Sequence, residues 1–362
     1  MHRSGIVAAI GRLAVATAMA GLPISLGAQE AGVLLGQRLT DPESGSRYRT
    51  LWITRDGGGV RVAASGPDLI VPRRSGFWRV CLVSGRGPTE YGMSEWDSLV
   101  AAPATARRGD CAAPADTAAT PDEGDSSCRS TEEVEILFLG TDAVSLETHE
   151  ESDCGAHPSG GTTVTLMTLE GDSAIDITRR LSPAQRSTLI RATLRAANRE
   201  FADLGRADTA DSESEGADAD EGLHFRVQKE WGVERGAGRW QLAGNAYCSP
   251  YVGCGDGPRR FSIPGLAPPP SVTGPDVLVP PLAAIRAGYP RVTDAVASPR
   301  GDLLVAVGGD SLLVFAPRAG KLGTPVLLVA GAGRIVMAQW AIGRFVPIWT
   351  ERLTALLGRQ AE

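Results

Sequence analysis

The stretch YRTLWITRDGGGVRVAAS, residues Tyr48 to Ser65, decides the fold class. It contains two runs rich in β-branched and aromatic residues on either side of the glycines at 57–59. Short β-rich runs separated by a glycine turn are typical of an antiparallel hairpin. The same pattern recurs along the chain, so we expect a structure built mainly from antiparallel strands.

Four further stretches carry this strand-and-turn pattern, and the turns of three of them are predicted at 140–142, Gly171 and 308–310. The stretches are DLIVPRRSGFWRVCLV (68–83), EVEILFLGTDAVSLE (133–147), TTVTLMTLEGDSAIDIT (162–178) and GDLLVAVGGDSLLVFAP (301–317).

Two segments are predicted to be helices. In LSPAQRSTLIRATLRAANREF (181–201), Ser182 and Gln185 form a capping box and Pro183 occupies the first helical position. Its apolar stripe is expected at Ile190, Leu194, Ala197 and Phe201. The second helix starts at Pro347 and should cap the sheet with one face, formed by Trp349, Leu353, Leu356 and Leu357.

These elements predict a β-dominated α+β fold with antiparallel sheets and two or three helices. A β-propeller-like fold is the alternative, because residues 297–317 resemble one propeller blade. The chain shows no fixed repeat period, and this counts against the propeller.

The first residues indicate export. Residues 1–28 read as a signal peptide, with Arg3 and Arg12, an apolar run from Leu13 to Leu26, and small residues before Ala28. Removing two arginines changes the formal charge from −6 to −8. Such an acidic chain is expected to bind nucleic acid poorly. We also expect no membrane span. The predicted location is the periplasm or the medium.

Composition divides the remainder into four regions. We predict an N-terminal β-rich region at 29–130 with a low-complexity insertion at 101–130, and an α+β domain at 131–266. An acidic segment at 203–222 within that domain has the composition of a disordered insertion. A proline-rich linker at 267–281 precedes a C-terminal region of β-hairpin and helix at 282–362.

Six cysteines fit a disulfide framework in an exported protein. Cys248 and Cys254 bracket a short loop and are the first predicted pair. Cys111 and Cys128 bracket the low-complexity insertion and form the second. Cys81 and Cys154 are paired only by elimination. The spacing matches no zinc motif.

The stretch HEESDCGAHPSGG, His149 to Gly161, holds two of the four histidines and one cysteine. His149, Asp153 and His157 are four residues apart, which would place them on one face of a helix. The glycines and the proline that follow Cys154 oppose a helix. We therefore predict a connecting loop, with neither a metal site nor a catalytic site.

The stretch CGAHPSGGTTVTLMTLEGDSAIDITRRLSPAQRSTLI (154–190) resembles part of an extracellular domain of lysozyme-sensing anti-sigma factors and exported peptidoglycan deacetylases. The Gly155-Ala156-His157 turn, the following strand, and the later segment RRFSIPGL (259–266) carry the resemblance, which covers about residues 133–266. In that family the module binds a ligand or accompanies another domain, and it is not the catalytic part of the protein. The resemblance therefore implies a binding role here.

Enzyme motifs are weak. GGDSLL (308–313) resembles the start of the GDSL esterases, but no histidine follows His224 to serve as the base for Ser311. No catalytic residue, metal ligand or cofactor is assigned from the sequence. A secreted hydrolase with a hidden carboxylate pair, drawn from Glu133, Asp142 or Asp294, is the alternative.

The main expectation is an exported, non-catalytic envelope protein that binds an extracellular or periplasmic protein, peptide or glycan. Most aromatic residues, among them Phe77, Trp78, Trp340, Phe345 and Trp349, are expected in the core. In the alternative interpretation some of them form a platform for a ligand. The candidate binding residues are Arg73, Arg74, Trp78, His157, Trp340 and Trp349.

Overall fold

A computed structural model describes most of the chain. The described ranges are 30–41, 45–57, 59–89, 92–105, 128–154, 159–169, 173–200, 225–248, 258–263, 266–318 and 320–358. The predictions for residues 1–28, for His157, for Gly171 and for most of the two insertions concern residues outside these ranges.

Seventeen strands in these ranges form four sheets. Sheet A has the order β17-β1-β2-β3 and contains β1 (Ala31–Asp41), β2 (Gly45–Asp56), β3 (Gly59–Pro67) and β17 (Arg334–Ile342). Sheet B runs in chain order through β4 (Leu69–Arg73), β5 (Gly76–Thr89), β6 (Gly92–Pro103), β7 (Cys128–Leu139), β8 (Ala143–Asp153) and β9 (Ser159–Thr168). Sheet C contains β10 (Phe225–Gly236), β11 (Arg239–Cys248) and β12 (Pro258–Ile263). Sheet D contains β13 (Val292–Ala297), β14 (Leu304–Gly308), β15 (Ser311–Phe315) and β16 (Leu327–Ala330).

Four α-helices and a 3-10 turn at Ile177–Arg180 accompany the sheets in the described ranges. The helices are α1 (Pro183–Glu200), α2 (Pro270–Thr273), α3 (Leu282–Gly288) and α4 (Phe345–Leu357). The prediction of a β-dominated α+β fold with antiparallel sheets is confirmed. The predicted hairpins at 48–65, 68–83, 133–147 and 301–317 are all present.

The four sheets are arranged like the blades of a four-bladed propeller. One apolar core joins sheets A and B, a second joins B and C, and a third joins A and D. Sheets C and D are linked by an ion pair between Arg235 and Asp294, with Nε to Oδ2 at 2.7 Å. The alternative interpretation therefore describes the arrangement of the sheets correctly.

Sheet A combines strands that are far apart in the sequence. Strand β1 lies between β2 and β17, and Ala31 pairs with Ile342. Antiparallel pairing of β17 with β1 satisfies an edge that would otherwise expose unpaired backbone groups.

Helix α1 confirms the predicted capping box but corrects the predicted stripe. The Ser182 backbone N–H donates to Gln185 Oε1 at 2.9 Å, and the Gln185 N–H donates to Ser182 Oγ at 3.3 Å. Among the side chains that are described in this helix, Leu189, Thr193 and Ala196 are buried, whereas Ile190 is 54% exposed. The Ala197 side chain and Phe201 lie outside the described residues. The packed face is thus rotated by one residue, because the sheets B and C, rather than the helix's own composition, choose which side is covered.

Helix α4 packs as predicted against sheet A. Leu353 is fully buried, and Trp349, Leu356 and Leu357 pack against the core between sheets A and B. Trp349 contacts the rings of Trp52 and Phe77, with centroids 5.7 and 5.4 Å apart. The helix begins at Phe345, two residues before the predicted start.

Sheets A, B and C meet at a partly buried group of charges, which we call the ion-pair hub. It contains three arginines and three glutamates: Arg38, Arg260, Arg334, Glu135, Glu147 and Glu234. Burial lowers the pKa of all three arginines, but an arginine guanidinium still carries its charge at neutral pH. The hub is therefore a balanced set of partly buried charges that links three sheets.

Glu234 on β10 is the most buried member of the hub, at 2% exposure. Its carboxylate accepts hydrogen bonds from Arg260, from Arg334 Nη2 at 3.1 Å, and from the side chains of Gln241 and Ser262. A buried carboxylate is tolerated only when it is paired and hydrogen-bonded, and Glu234 meets both conditions.

Candidate functional site

A cleft of about 1030 Å³ lies between sheets A and B, and we call it the A–B cleft. Its walls come from β2, β5, β6 and β7. Ser84, Arg86, Glu132 and Glu133 in its lining are exposed, so the cleft is open to solvent. It is larger than three other cavities in the described residues, which have volumes of about 570, 330 and 380 Å³.

The cleft forms where two strands separate. Strands β6 and β7 pair in parallel only over Gly92–Trp96 and Cys128–Glu132. Beyond this point the Asp97 side chain replaces the strand-to-strand hydrogen bond, because its Oδ2 accepts a hydrogen bond from the Val134 backbone N–H at 3.2 Å. One aspartate thus satisfies a strand N–H and places a carboxylate in the wall of the cleft.

Trp96 lies next to Asp97 and rests on two glycines of the adjacent strand. A Cβ atom at Gly85 would lie 2.8 Å from Trp96 Cε2 and Nε1, and one at Gly87 would lie 3.0 Å from Cη2. The indole therefore spans both glycines, where any larger residue would displace it. Trp96 is half-buried and lines the cleft, so part of its ring remains accessible.

Three of the carboxylates in the cleft are compensated by arginines. Asp68 accepts from Arg79 Nη1 at 2.6 Å. Glu135 is bonded by Arg38 and also by Ser46 Oγ at 2.8 Å, and Glu95 lies 3.0 Å from an arginine at position 129. These acids stabilise the walls of the cleft.

Asp97, Glu132 and Glu133 differ, since no arginine, lysine or histidine in the described ranges lies within ion-pair distance of them. Asp97 is held by neutral donors, Ser84 Oγ at 2.6 Å and the backbone N–H at position 134. Although Glu132 remains exposed, partial burial raises its pKa, and the neighbouring charges of Glu150 and Asp97 raise it further. This side of the cleft is a region of uncompensated negative charge.

The binding residues predicted from sequence do not form one surface. Arg73 stacks on Trp78, 4.5 Å from its guanidinium carbon to the ring centroid, and Arg74 is exposed. Trp349 lies in the core between sheets A and B, whereas Trp340 packs against the core between sheets A and D. His157 lies outside the described residues.

The stretch 149–161 is mostly a β-hairpin, so the prediction of a loop across it is wrong. His149–Asp153 ends β8 and 159–161 begins β9. His149 Nε2 donates to Glu151 at 3.0 Å, and its Nδ1 lies 3.0 Å from the Thr162 hydroxyl. Gly161 is not a turn residue: a Cβ there would lie 2.2 Å from Pro258, so the glycine permits close approach of β12.

The disulfide pairing differs from the prediction. Cys128 bonds to Cys154, at the matching ends of β7 and β8, and so neither Cys111–Cys128 nor Cys81–Cys154 forms. Cys81 is also disulfide-bonded. The Cys248–Cys254 pair lies outside the residues whose side chains are described. The error arose from pairing neighbours in sequence, whereas register places residues 128 and 154 side by side.

The acids proposed for a hydrolase lie apart. Glu133 lines the A–B cleft, whereas Asp142 lies in the β7–β8 turn and pairs with Arg73 at 3.3 Å. Asp294 lies in sheet D and forms an ion pair with Arg235. The pKa of Asp294 is raised, because the effect of burial outweighs the opposing effect of the Arg235 charge.

The described ranges contain no group of three or more histidine, cysteine, aspartate or glutamate side chains placed to hold a metal ion. No helix within them is long and apolar enough to cross a membrane.

Sequence reasoning missed Trp96, Asp97 and Glu132. The available signal was Gly85-Arg86-Gly87, two glycines on one face of a strand, which often marks close approach by another group. The partner of those glycines is set by strand register, which the sequence does not reveal.

No known protein family matches the sequence, and no curated protein matches it. Among solved structures, a DUF3298 family protein from Pseudomonas aeruginosa PAO1 is similar to 51% of this chain over 89% of its own length. The identity is 15% and the TM-score is 0.30, so the likeness carries no argument about this chain. The resemblance proposed for 133–266 stays a prediction.

Proposed function

We propose that this chain is an exported, non-catalytic envelope protein that binds its ligand, a peptide, protein segment or glycan, in the A–B cleft. The observation that carries the proposal is the Trp96 indole, seated on Gly85 and Gly87 and bordering an open cavity of about 1030 Å³. Ligand sites combine apolar or aromatic surface with a few fixed polar groups, and Asp97 supplies such a group.

Four of the six carboxylates of the cleft are held by other groups of the protein. Asp68, Glu95 and Glu135 are engaged by arginines, and Asp97 is engaged by two neutral donors. Only Glu132 and Glu133 are left for the carboxylate pair that a glycosidase requires, and the titration below tests them by looking for cleavage of the tetramer. The resemblance to a non-catalytic extracellular module supports a binding role.

Export has its own test. The mature protein, recovered from the periplasm or the medium, should begin near Ala28 or Gln29 when sequenced from its N-terminus. Exported material that begins at Met1 would refute the signal peptide.

Binding is tested by isothermal titration of the mature, oxidised chain with three defined probes: a capped lysine-alanine hexapeptide, a capped glutamate-alanine hexapeptide and an N-acetylglucosamine tetramer. At least one probe should bind with one-to-one stoichiometry, and Trp96→Leu should weaken it. Trp340→Leu is the matched control, because Trp340 lies against another core and does not line the cleft. The absence of binding by all three probes, or cleavage of the tetramer, would overturn the proposal.

A further inference from the structure

We propose that the A–B cleft selects a cationic ligand, the lysine or arginine side chain of an extended peptide, bound at the Trp96 indole and at Glu132, the residue that pairs with Trp96 across β6 and β7. This inference rests on the proposed function, since it assigns a ligand class to the same cleft.

The aromatic surface is the first argument. Trp96 is fixed on one side by the backbone at Gly85 and Gly87 and borders the cavity with the remainder of its ring. Tryptophan is the best aromatic partner for a cation placed over its face. The glycine seat fixes the ring before a ligand arrives, which reduces the ordering needed on binding.

Charge is the second argument, and it is independent of the ring. Arginines from β1, β5 and β7 neutralise the other acids of the cleft but do not reach Asp97, Glu132 or Glu133. Burial disfavours the charged form of Glu132 most, and the nearby charges of Glu150 and Asp97 add electrostatic repulsion at the site. A ligand cation would relieve this repulsion, whereas an anion would increase it.

A peptide fits this combination better than a neutral glycan. Sugars also stack on tryptophan, but a neutral sugar leaves the uncompensated carboxylates as they are. The cleft volume, about 1030 Å³, is at the upper end for small-molecule sites of roughly 300–1,000 Å³. There is thus room for several residues, with one cationic side chain at Trp96.

The experiment uses the same mature, oxidised chain and the same three probes. The lysine-alanine peptide should bind, more weakly in 500 mM than in 50 mM salt, and the glutamate-alanine peptide should not. Trp96→Leu should weaken binding about fivefold, the loss of an exposed cation–π contact. Glu132→Lys, at an exposed position, should weaken it at least tenfold, roughly the effect of one like-charge contact.

Glu351→Lys is the matched control for Glu132→Lys, since residue 351 is exposed on α4, does not line the cleft and takes the same charge change. It should leave the affinity unchanged. Unaltered binding of the lysine peptide to Glu132→Lys, or equal loss in both variants, would overturn the inference. If the tetramer binds, Trp96→Leu weakens that binding and neither peptide binds, the cleft is the binding site but it does not select cations.

Discussion

Glu234→Gln is expected to lower the free energy of unfolding by about 3 kcal/mol, because it removes one partner from buried ion pairs. The substitution keeps the side-chain shape, so packing is nearly unchanged. Breaking a buried pair costs roughly 3–5 kcal/mol, and two contacts place this variant at the lower end. The loss stays at this lower end because Arg260 keeps its ion pair with Glu147 at 2.9 Å. In addition, the Arg334 side chain is 31% exposed, so water can partly solvate its charge.

The measurement is urea unfolding of the oxidised chain, followed by tryptophan fluorescence and by far-UV circular dichroism. Glu351→Gln on the exposed face of α4 is the control and should change stability by less than about 0.5 kcal/mol. Adding Arg334→Met to Glu234→Gln should recover part of the loss, because it removes the charge left without its carboxylate. A loss below about 1 kcal/mol for Glu234→Gln would show that the hub does not hold sheets A and C together.

Two further predictions concern the rim of the cleft and the disulfide. The raised pKa of Glu132 means that the folded chain holds this proton more tightly, so its contribution to stability falls as pH rises above the ordinary glutamate value. Glu132→Gln should therefore be more stable than the wild type at neutral pH and equal to it in acid, and urea titrations that show the opposite trend would refute the sign. Non-reducing peptide mass spectrometry should recover Cys128 linked to Cys154 and not to Cys111. The double variant Cys128→Ser, Cys154→Ser should lose about 3.5 kcal/mol for a separation of 26 residues, and a negligible loss would show that this loop is already constrained.

Local features of the fold were predictable because their determinants are close in sequence. The hairpin at 48–65 and the capping box at Ser182 depend on residues a few positions apart. The face that α1 buries was missed, since the surrounding sheets decide it. The propeller arrangement was hard to detect because the sheets contain unequal numbers of strands and leave no repeat period.

The cleft was unpredictable for a related reason. Its wall depends on Gly85 facing Trp96 and on the Asp97 carboxylate reaching the Val134 N–H, and both follow from strand register. The pairing of residues 128 and 154 depends on register in the same way. Sequence indicates strands well, but it does not state which strands are neighbours when the connection between them is long.

The pairing of β1 with β17 also sets the order of folding. Sheet A is complete only when residue 31 pairs with residue 342, and this contact closes one of the longest loops that the chain can form. Such non-local closure is entropically costly and slow, and it leaves the apolar β1 edge unprotected in partly synthesised chains. Until β17 is available, that edge can pair with another chain instead.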